Sequence, residues 1–174
     1  MPRLAVISYP ALRAADRDWI ESIRATRDPQ AARLAAHFTL VFPAEVASDR
    51  VAEEIAAVAG SVRPIPFVIR AARAVRDVFH RRGHVFLVPE EGSREIAWLH
   101  DRLYEGVFKR HFRGDIPFAP HITVAAARDF AWCETFADEL ERRALEIPGM
   151  LRDIELVSVA GGAVVSLEKQ PPSR

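Results

Sequence analysis

HFTLVFP, residues 37–43, reads as a β-strand closed by a proline, with His37 and Thr39 on alternate positions. The pattern returns in PHITVA, residues 120–125, where His121 and Thr123 stand in the same relation. The two histidines lie 84 residues apart in a chain of 174, close to half its length. One His-x-Thr triplet says little, because a strand histidine is most simply bonded to a buried backbone group. Two triplets in matched settings, half a chain apart, call for a physical reason.

Side chains alternate across a strand, so His37 and Thr39 share one face while Phe38 and Leu40 take the other. His121 and Thr123 are set against Ile122 and Val124 in the same way. Each strand offers an imidazole and a hydroxyl roughly 7 Å apart, with apolar alternates to anchor it. If the two halves face each other, two His and two Thr line one cleft. A phosphodiester suits that constellation. Breaking or making a P–O bond needs a proton taken from the attacking oxygen and one given to the leaving oxygen. One neutral imidazole and one imidazolium fill those roles near neutral pH. The hydroxyls can donate to the non-bridging oxygens. No metal or other cofactor is required.

Outward from the triplets, RLAVISY (residues 3–9) reads as a buried strand stopped by Pro10. A helix is expected from Asp16 to Arg27, and another after a Ser48 cap, with Val51, Ile55 and Val58 on one face and Gly60 closing it. IPFVIRA (residues 65–71) reads as a strand, residues 72–80 are ambiguous between strand and helical turn, RRGH (81–84) marks a turn, and VFLV (85–88) is a strand. Ser93 opens a helix with the stripe Ile96, Leu99, Leu103, Val107. A last helix is expected from Phe130 to Glu146, ended by Pro148-Gly149, before a hairpin of IELVSVA and AVVSL around Gly161-Gly162. The order strand, helix, His-x-Thr strand, helix, strand thus occurs twice. No Gly-, Ser- or Pro-rich linker divides the copies, so one domain over 1–174 is expected, with approximate halves 1–82 and 83–168 and a polar tail 169–174.

Composition agrees with a globular domain: 49% hydrophobic and 28% charged residues. Formal net charge is zero, so no global field draws nucleic acid or an anionic membrane, and phosphate recognition has to be local. The cations are 22 Arg against Lys109 and Lys169, a bias that base composition explains most simply. Cys133 is the sole cysteine and sits in an amphipathic helical stretch, which excludes an intramolecular disulfide and a cysteine-based zinc site. The N-terminal apolar run is too short for a signal peptide and no segment reaches membrane-spanning length, so a cytoplasmic protein is expected.

A duplicated α/β chain of this length carrying HFTL and PHIT resembles the two-histidine (2H) phosphoesterase superfamily, which includes bacterial 2′-5′ RNA ligases (RNA 2′,3′-cyclic phosphodiesterases). The resemblance covers nearly the whole chain: both motifs, their separation, the element order and the proline before His121. It implies an α+β fold with two similar lobes of antiparallel sheet plus helices, related by a pseudo-twofold, whose His-x-Thr strands line a central cleft. It also implies catalytic roles for His37 and His121 and phosphate binding by Thr39 and Thr123. The activity implied is metal-independent hydrolysis of 2′,3′-cyclic phosphate ends of RNA or of cyclic nucleotides. Ligation to a 5′-hydroxyl is the same chemistry reversed, and a binding protein that holds nucleotides or RNA without turnover is the rival from another class. The substrate is the expected partner, with no membrane and no obligate protein partner. In one departure, family members often place an arginine soon after the second threonine, whereas HITVAAARD delays it to Arg128.

Other clusters have plainer readings. His80 and His84 have the i, i+4 spacing of a helical metal pair, but the intervening Arg-Arg-Gly argues for a turn and no third ligand is placed. KRHFR (residues 109–113) at a helix end reads as a solvated basic cluster before it reads as a nucleic-acid contact. Phe42, Phe67, Phe86 and Phe118 are mostly core candidates, any of which near the cleft could stack on a base.

Overall fold

The computed structural model describes residues 3–47, 49–77, 81–161 and 163–171. Apolar alternation produces the strands that position the site, and Pro43, read as the close of the first His-x-Thr strand, lies within it instead. They are β1 (Arg3–Ser8), β3 (Phe38–Ala44), β4 (Ile65–Asp77), β5 (Arg82–Glu91) and β6 (Ile122–Ala127), with the short β2 (Ala11–Leu12) after β1. β7 (Ile147–Leu151), β8 (Ile154–Ala160) and β9 (Ala163–Gln170) complete the sheet. Four helices lie between them: α1 (Ala14–Arg27), α2 (Val51–Ser61), α3 (Ser93–Leu103) and α4 (Phe130–Glu141). Asp16 in the first turn of α1 and Arg24 and Arg27 in its last turn oppose the helix dipole. At α4 the Asp129 carboxylate accepts from the Ala131 and Trp132 N–H groups, capping the helix.

All strand pairs are antiparallel, and they form one nine-stranded sheet in the order β2-β7-β4-β5-β6-β3-β1-β8-β9. Where two lobes, each with its own sheet, were expected, five strands and four strands are joined through a single bridge, Phe38 to Ile122, between β3 and β6. The chain crosses between the two sides. β4 pairs with β5 and β7, while β8 returns to flank β1 and β9 pairs with β8. Helix residues such as Ile20, Ile55, Leu99 and Phe136 join Phe38, Leu40, Ile122 and Val124 in one apolar core, which occupies one face of the sheet. A smaller cluster of Ala5, Ile7 and Val157, with Tyr9 and Leu34 packed against it, uses the other residues of β1 and β8.

Beyond the bridge β6 leaves β3, and α3 supplies replacement partners. The His100 ring meets the Leu40 carbonyl through Nδ1 at 2.7 Å, and the Phe42 N–H donates to the Tyr104 hydroxyl at 3.2 Å. Facing a carbonyl oxygen, Nδ1 of His100 has to carry the proton. Burial holds this imidazole below its ordinary range, and its other ring face stacks on Phe118 at 3.8 Å.

Several elements differ from the sequence reading. The α3 stripe stops at Leu103, so Val107 lies beyond the helix, in a turn. α4 ends at Glu141, and Pro148-Gly149 falls inside β7, which pairs with Ile65–Ile69 of β4. A Pro-Gly pair suits a peripheral strand as well as a helix stop, and tertiary pairing decides between them. The ambiguous stretch after Ala71 continues β4 to Asp77, and Arg82 to His84 belong to β5 instead of a turn. β9 extends to Gln170, so the polar tail begins later than residue 169. Ser48, His80 and Gly162, and with them the expected cap, half of the His80/His84 pair and part of the hairpin turn, lie outside the described residues.

Gly92, which leads from β5 into α3, has φ +79, and a Cβ there would stand 2.3 Å from the Pro66 carbonyl oxygen. Gly60, in α2, has open space around its missing Cβ. Gly92→Ala is therefore expected to lower stability by about 2 kcal/mol or more, from left-handed strain and the backbone clash together. Gly60→Ala is expected to raise it by up to about 1 kcal/mol. Urea midpoints of the two variants should move in opposite directions.

Candidate active site

The residue before each of the two central strands is a histidine: His37 precedes β3 and His121 precedes β6. Phe38, Leu40, Ile122 and Val124 are fully buried, while His37, Thr39, His121 and Thr123 are partly exposed on the opposite face from the helices. The antiparallel bridge between Phe38 and Ile122 sets the register, so His37 comes level with Thr123 and Thr39 with His121. One face of the sheet therefore carries all four side chains across a single strand junction.

Each imidazole is held by the same local contact. His37 Nδ1 lies 2.8 Å from the Ala35 carbonyl oxygen, and His121 Nδ1 lies 2.7 Å from that of Ala119. An oxygen acceptor requires Nδ1–H, so in the neutral rings Nε2 is the basic nitrogen. The surroundings of the two rings then diverge. Phe86 of β5, level with Thr123, stacks on His121 at 3.7 Å between ring centroids with 16° between planes. His84 stacks on Phe86 from farther along the strand, at 5.8 Å. Tyr9 meets His37 edge-on at 6.3 Å.

Electrostatics separates the two histidines as well. Although the His121 ring keeps some contact with solvent, the protein surrounds it closely, and burial pushes its imidazolium down to about 4. The Ala119 carbonyl acts in the opposite sense, and positive charge on His37 or His84 reinforces the depression. His37 is also lowered, first by burial. The Ala35 carbonyl and the Asp28 and Glu21 carboxylates favour its charged form, while Arg24 opposes it. Positive charge on His37 is thus felt at His121, as expected of two rings on one face.

The remaining sequence candidates are placed differently. His84 lies in a strand, 3.6 Å from the Asp77 carboxylate through Nε2, with a buried Nδ1 that has no hydrogen-bond partner. Among the described residues no group of three or more His, Cys, Asp or Glu side chains could hold a metal ion. In KRHFR, Arg110 donates to the Glu45 carbonyl and Arg113 pairs with Asp115, so two of its cations are already engaged. Phe67 is core, Phe42 is half exposed, Phe118 stacks on His100, and only Phe86 touches a motif histidine. Phe86 was one of four phenylalanines open to a place beside the cleft, whereas Tyr9 and the two alanine carbonyls were not legible as site groups. The alanine two residues before each histidine, in LAAH and FAPH, was the available signal.

Comparison with known proteins yields a family model, the 2′-5′ RNA ligase superfamily, that matches residues 10–163. A Bacillus licheniformis protein classed as a candidate phosphoesterase is 25% identical over 126 residues, covering 71% of this chain and 70% of its own. A crystal structure described as a phosphoesterase matches with a TM-score of 0.59 and 23% identity, covering 99% of each chain. Escherichia coli LigT, crystallised with 3′-AMP, matches with a TM-score of 0.55 and 22% identity, again over 99% of each chain.

Burial of His121 also makes stability depend on pH. Its folded value of about 4 lies below the ordinary 6.5, so between these values the unfolded chain binds more protons. Stability contributed by this site is present above about pH 6.5 and is lost as pH falls towards 4. Thermal melts at pH 7 and pH 5 should show a larger acid-induced loss for the unmutated protein than for His121→Asn, which has no titrating ring. Equal losses would mean that His121 is not held neutral.

Proposed function

Because the chain belongs to the 2′-5′ RNA ligase superfamily, we propose that it is a phosphodiesterase whose His37 and His121 open a 2′,3′-cyclic phosphate by paired proton transfer. The observation that carries this reading is the shared anchoring of the two rings. Both Nδ1 atoms are tied to the carbonyl two residues upstream, which leaves both Nε2 atoms for chemistry beside the two threonines. A pseudo-twofold through the Phe38–Ile122 bridge would exchange His37 with His121 and Thr39 with Thr123. A phosphodiester seated on this face would then have its phosphorus between the rings.

In the mechanism, His121 is the base. Burial keeps it neutral at pH 7, so its Nε2 can accept a proton from water as the water oxygen attacks phosphorus. His37, as imidazolium, gives its Nε2 proton to the departing ribose oxygen. The Thr39 and Thr123 hydroxyls donate to the non-bridging oxygens and stabilise the charge that develops on them. Every proton is assigned without a metal ion. Ligation of the cyclic end follows the same steps with a 5′-hydroxyl in place of water as the attacking oxygen. A nucleotide or RNA end as substrate is supported by the likeness of fold to LigT, which was crystallised with 3′-AMP. No helix among the described residues is long and apolar enough to cross a membrane, and we place the activity in the cytoplasm.

Single His37→Ala and His121→Ala proteins should fold yet lose on the order of 100- to 10,000-fold in kcat against a 2′,3′-cyclic nucleotide. The double variant should lose little more, because the pair acts as a unit. Near-normal turnover by either single variant would remove that histidine from the mechanism. Nucleotide binding without turnover by the unmutated protein would favour a binding role.

The pH profile of kcat/KM should be a bell with its acid limb near pH 4, where His121 protonates, and its alkaline limb below 6.5, where His37 loses its proton. A bound diester anion favours both imidazolium forms, so the alkaline limb of kcat should lie at higher pH than that of kcat/KM. EDTA should change neither profile. Activity abolished by EDTA and restored by a divalent cation would overturn the mechanism.

A further inference from the structure

Behind His37 lies a buried ionic cluster that proton transfer by the two histidines does not itself use. The Arg24 side chain is 1% exposed, and each of its nitrogens has a partner. Nη1 bonds both Glu21 carboxylate oxygens at 3.1 and 2.9 Å, Nε bonds Asp28 at 2.9 Å, and Nη2 bonds the Leu34 carbonyl at 2.8 Å. Glu21 Oε1 also accepts from the Ala36 N–H at 2.6 Å. The Ala36 N–H and the Ala35 C=O belong to one peptide group, and that carbonyl is the one His37 Nδ1 donates to. The sequence of contacts is carboxylate, amide, imidazole.

We propose that Glu21 is a positioning residue for His37, acting through the single peptide group between Ala35 and Ala36. The proposal rests on the reading that His37 is a catalytic proton donor. A carboxylate on the N–H end of an amide polarises it and makes its oxygen a stronger acceptor. That bond fixes the ring plane, selects the tautomer that leaves Nε2 for substrate, and favours the imidazolium an acid has to be. Arg24 fixes Glu21 in turn and pins Leu34 on the other side of Ala35, so the carbonyl has one orientation.

The second half of the site shows what this adds. The Ala119 carbonyl that anchors His121 belongs to the Ala119–Pro120 amide, whose nitrogen has no hydrogen. No carboxylate can stand behind that carbonyl in the same way. Two histidines with matching local geometry therefore differ in what stands behind their anchoring carbonyls, and that difference, which adds to the effect of burial, is written in residues 36 and 120. The charged and titratable groups around His37 are Glu21 and Arg24 on α1, Asp28 just after it, Tyr9 after β1 and His121 across the bridge.

Glu21→Gln removes the charge at constant shape, and Ala36→Pro removes the N–H while rewriting AAH as the APH of the second motif. In both, kcat should fall on the order of tenfold with KM within about twofold, the scale of outer partners of functional imidazoles. The alkaline limb of kcat/KM should move to lower pH, because an imidazolium without the carboxylate behind it releases its proton sooner. Nitrogen-15 titration of the His37 ring should show the same downward shift with no substrate present, and Glu21→Asp should restore part of it. Reduced stability with an unchanged His37 titration in both variants would make the cluster purely structural and overturn the proposal. If the unmutated protein turns over no cyclic diester, the functional reading fails, and the ring titration still decides for or against the relay.

Discussion

The Phe38–Ile122 bridge is the constraint on which the rest of the molecule depends. It is the only pairing between β3 and β6, and it carries the junction between five strands and four. Side chains alternate with a period of two, so a slip of one residue at this junction would turn the histidine of the slipped strand into the helix-packed core. Burial opposes that slip. Phe38 and Ile122 are completely enclosed, and Phe38 meets Phe67 edge-on at 5.2 Å. A single bridge can hold register because the strands do not have to stay together beyond it. Where they part, His100 and Tyr104 satisfy the Leu40 carbonyl and the Phe42 N–H, groups that would otherwise need a neighbouring strand.

Two half-sites built on one plan need not behave alike, and here the neighbours of each threonine set them apart. Thr39 is paired across β1 with Ile7, which is 2% exposed and packed in the small cluster with Ala5 and Val157. Thr123 is paired across β5 with Phe86, which stays partly exposed and lies flat on His121. The aromatic face restrains the His121 ring and helps keep water from it. On the other side, α1 brings charge towards His37 from behind its backbone. One imidazole is kept dry and the other is kept in reach of carboxylates, which is the separation a base and an acid need.

Much of this could be read from residues 37–43 and 120–125, because alternation decides which side chains share a face before any contact is known. The RLAVIS strand and helices with stripes such as Val51–Ile55 were legible for the same local reason, whereas Pro43 did not end its strand. Local pattern fails where tertiary pairing chooses between two acceptable readings. Ile147-Pro148-Gly149 can stop a helix or run beside Val68, and β4 decides for the strand. The company of the histidines was illegible for another reason. Phe86 reaches His121 through a strand register that includes an irregularity between Val85 and Phe86. The Ala35 and Ala119 carbonyls are backbone atoms that any residue would supply, so the alanine common to LAAH and FAPH hints at them without identifying them.

Zero net charge then acquires a structural meaning. Arg70 is shared between Glu91 and Glu146, and Arg73 is bound to Glu141, so these β4 cations are already neutralised by carboxylates. After Thr123 and Val124 the strand positions are alanines: Ala125 beside Val85, Ala126 beside His84 and Ala127 beside Gly83. Gly83 itself has no room for a Cβ, with Cys133 Sγ and the Phe130 ring each 2.8 Å from where one would stand. The seam between β5 and β6 is therefore built of small residues under α4, where a family arginine is often found. Without a global cationic field or that arginine, an anion on this face would depend on two hydroxyls and on whichever imidazole holds a proton. Recognition and proton transfer would then fall to the same four side chains, so the protonation state that allows catalysis is also the one that attracts the substrate.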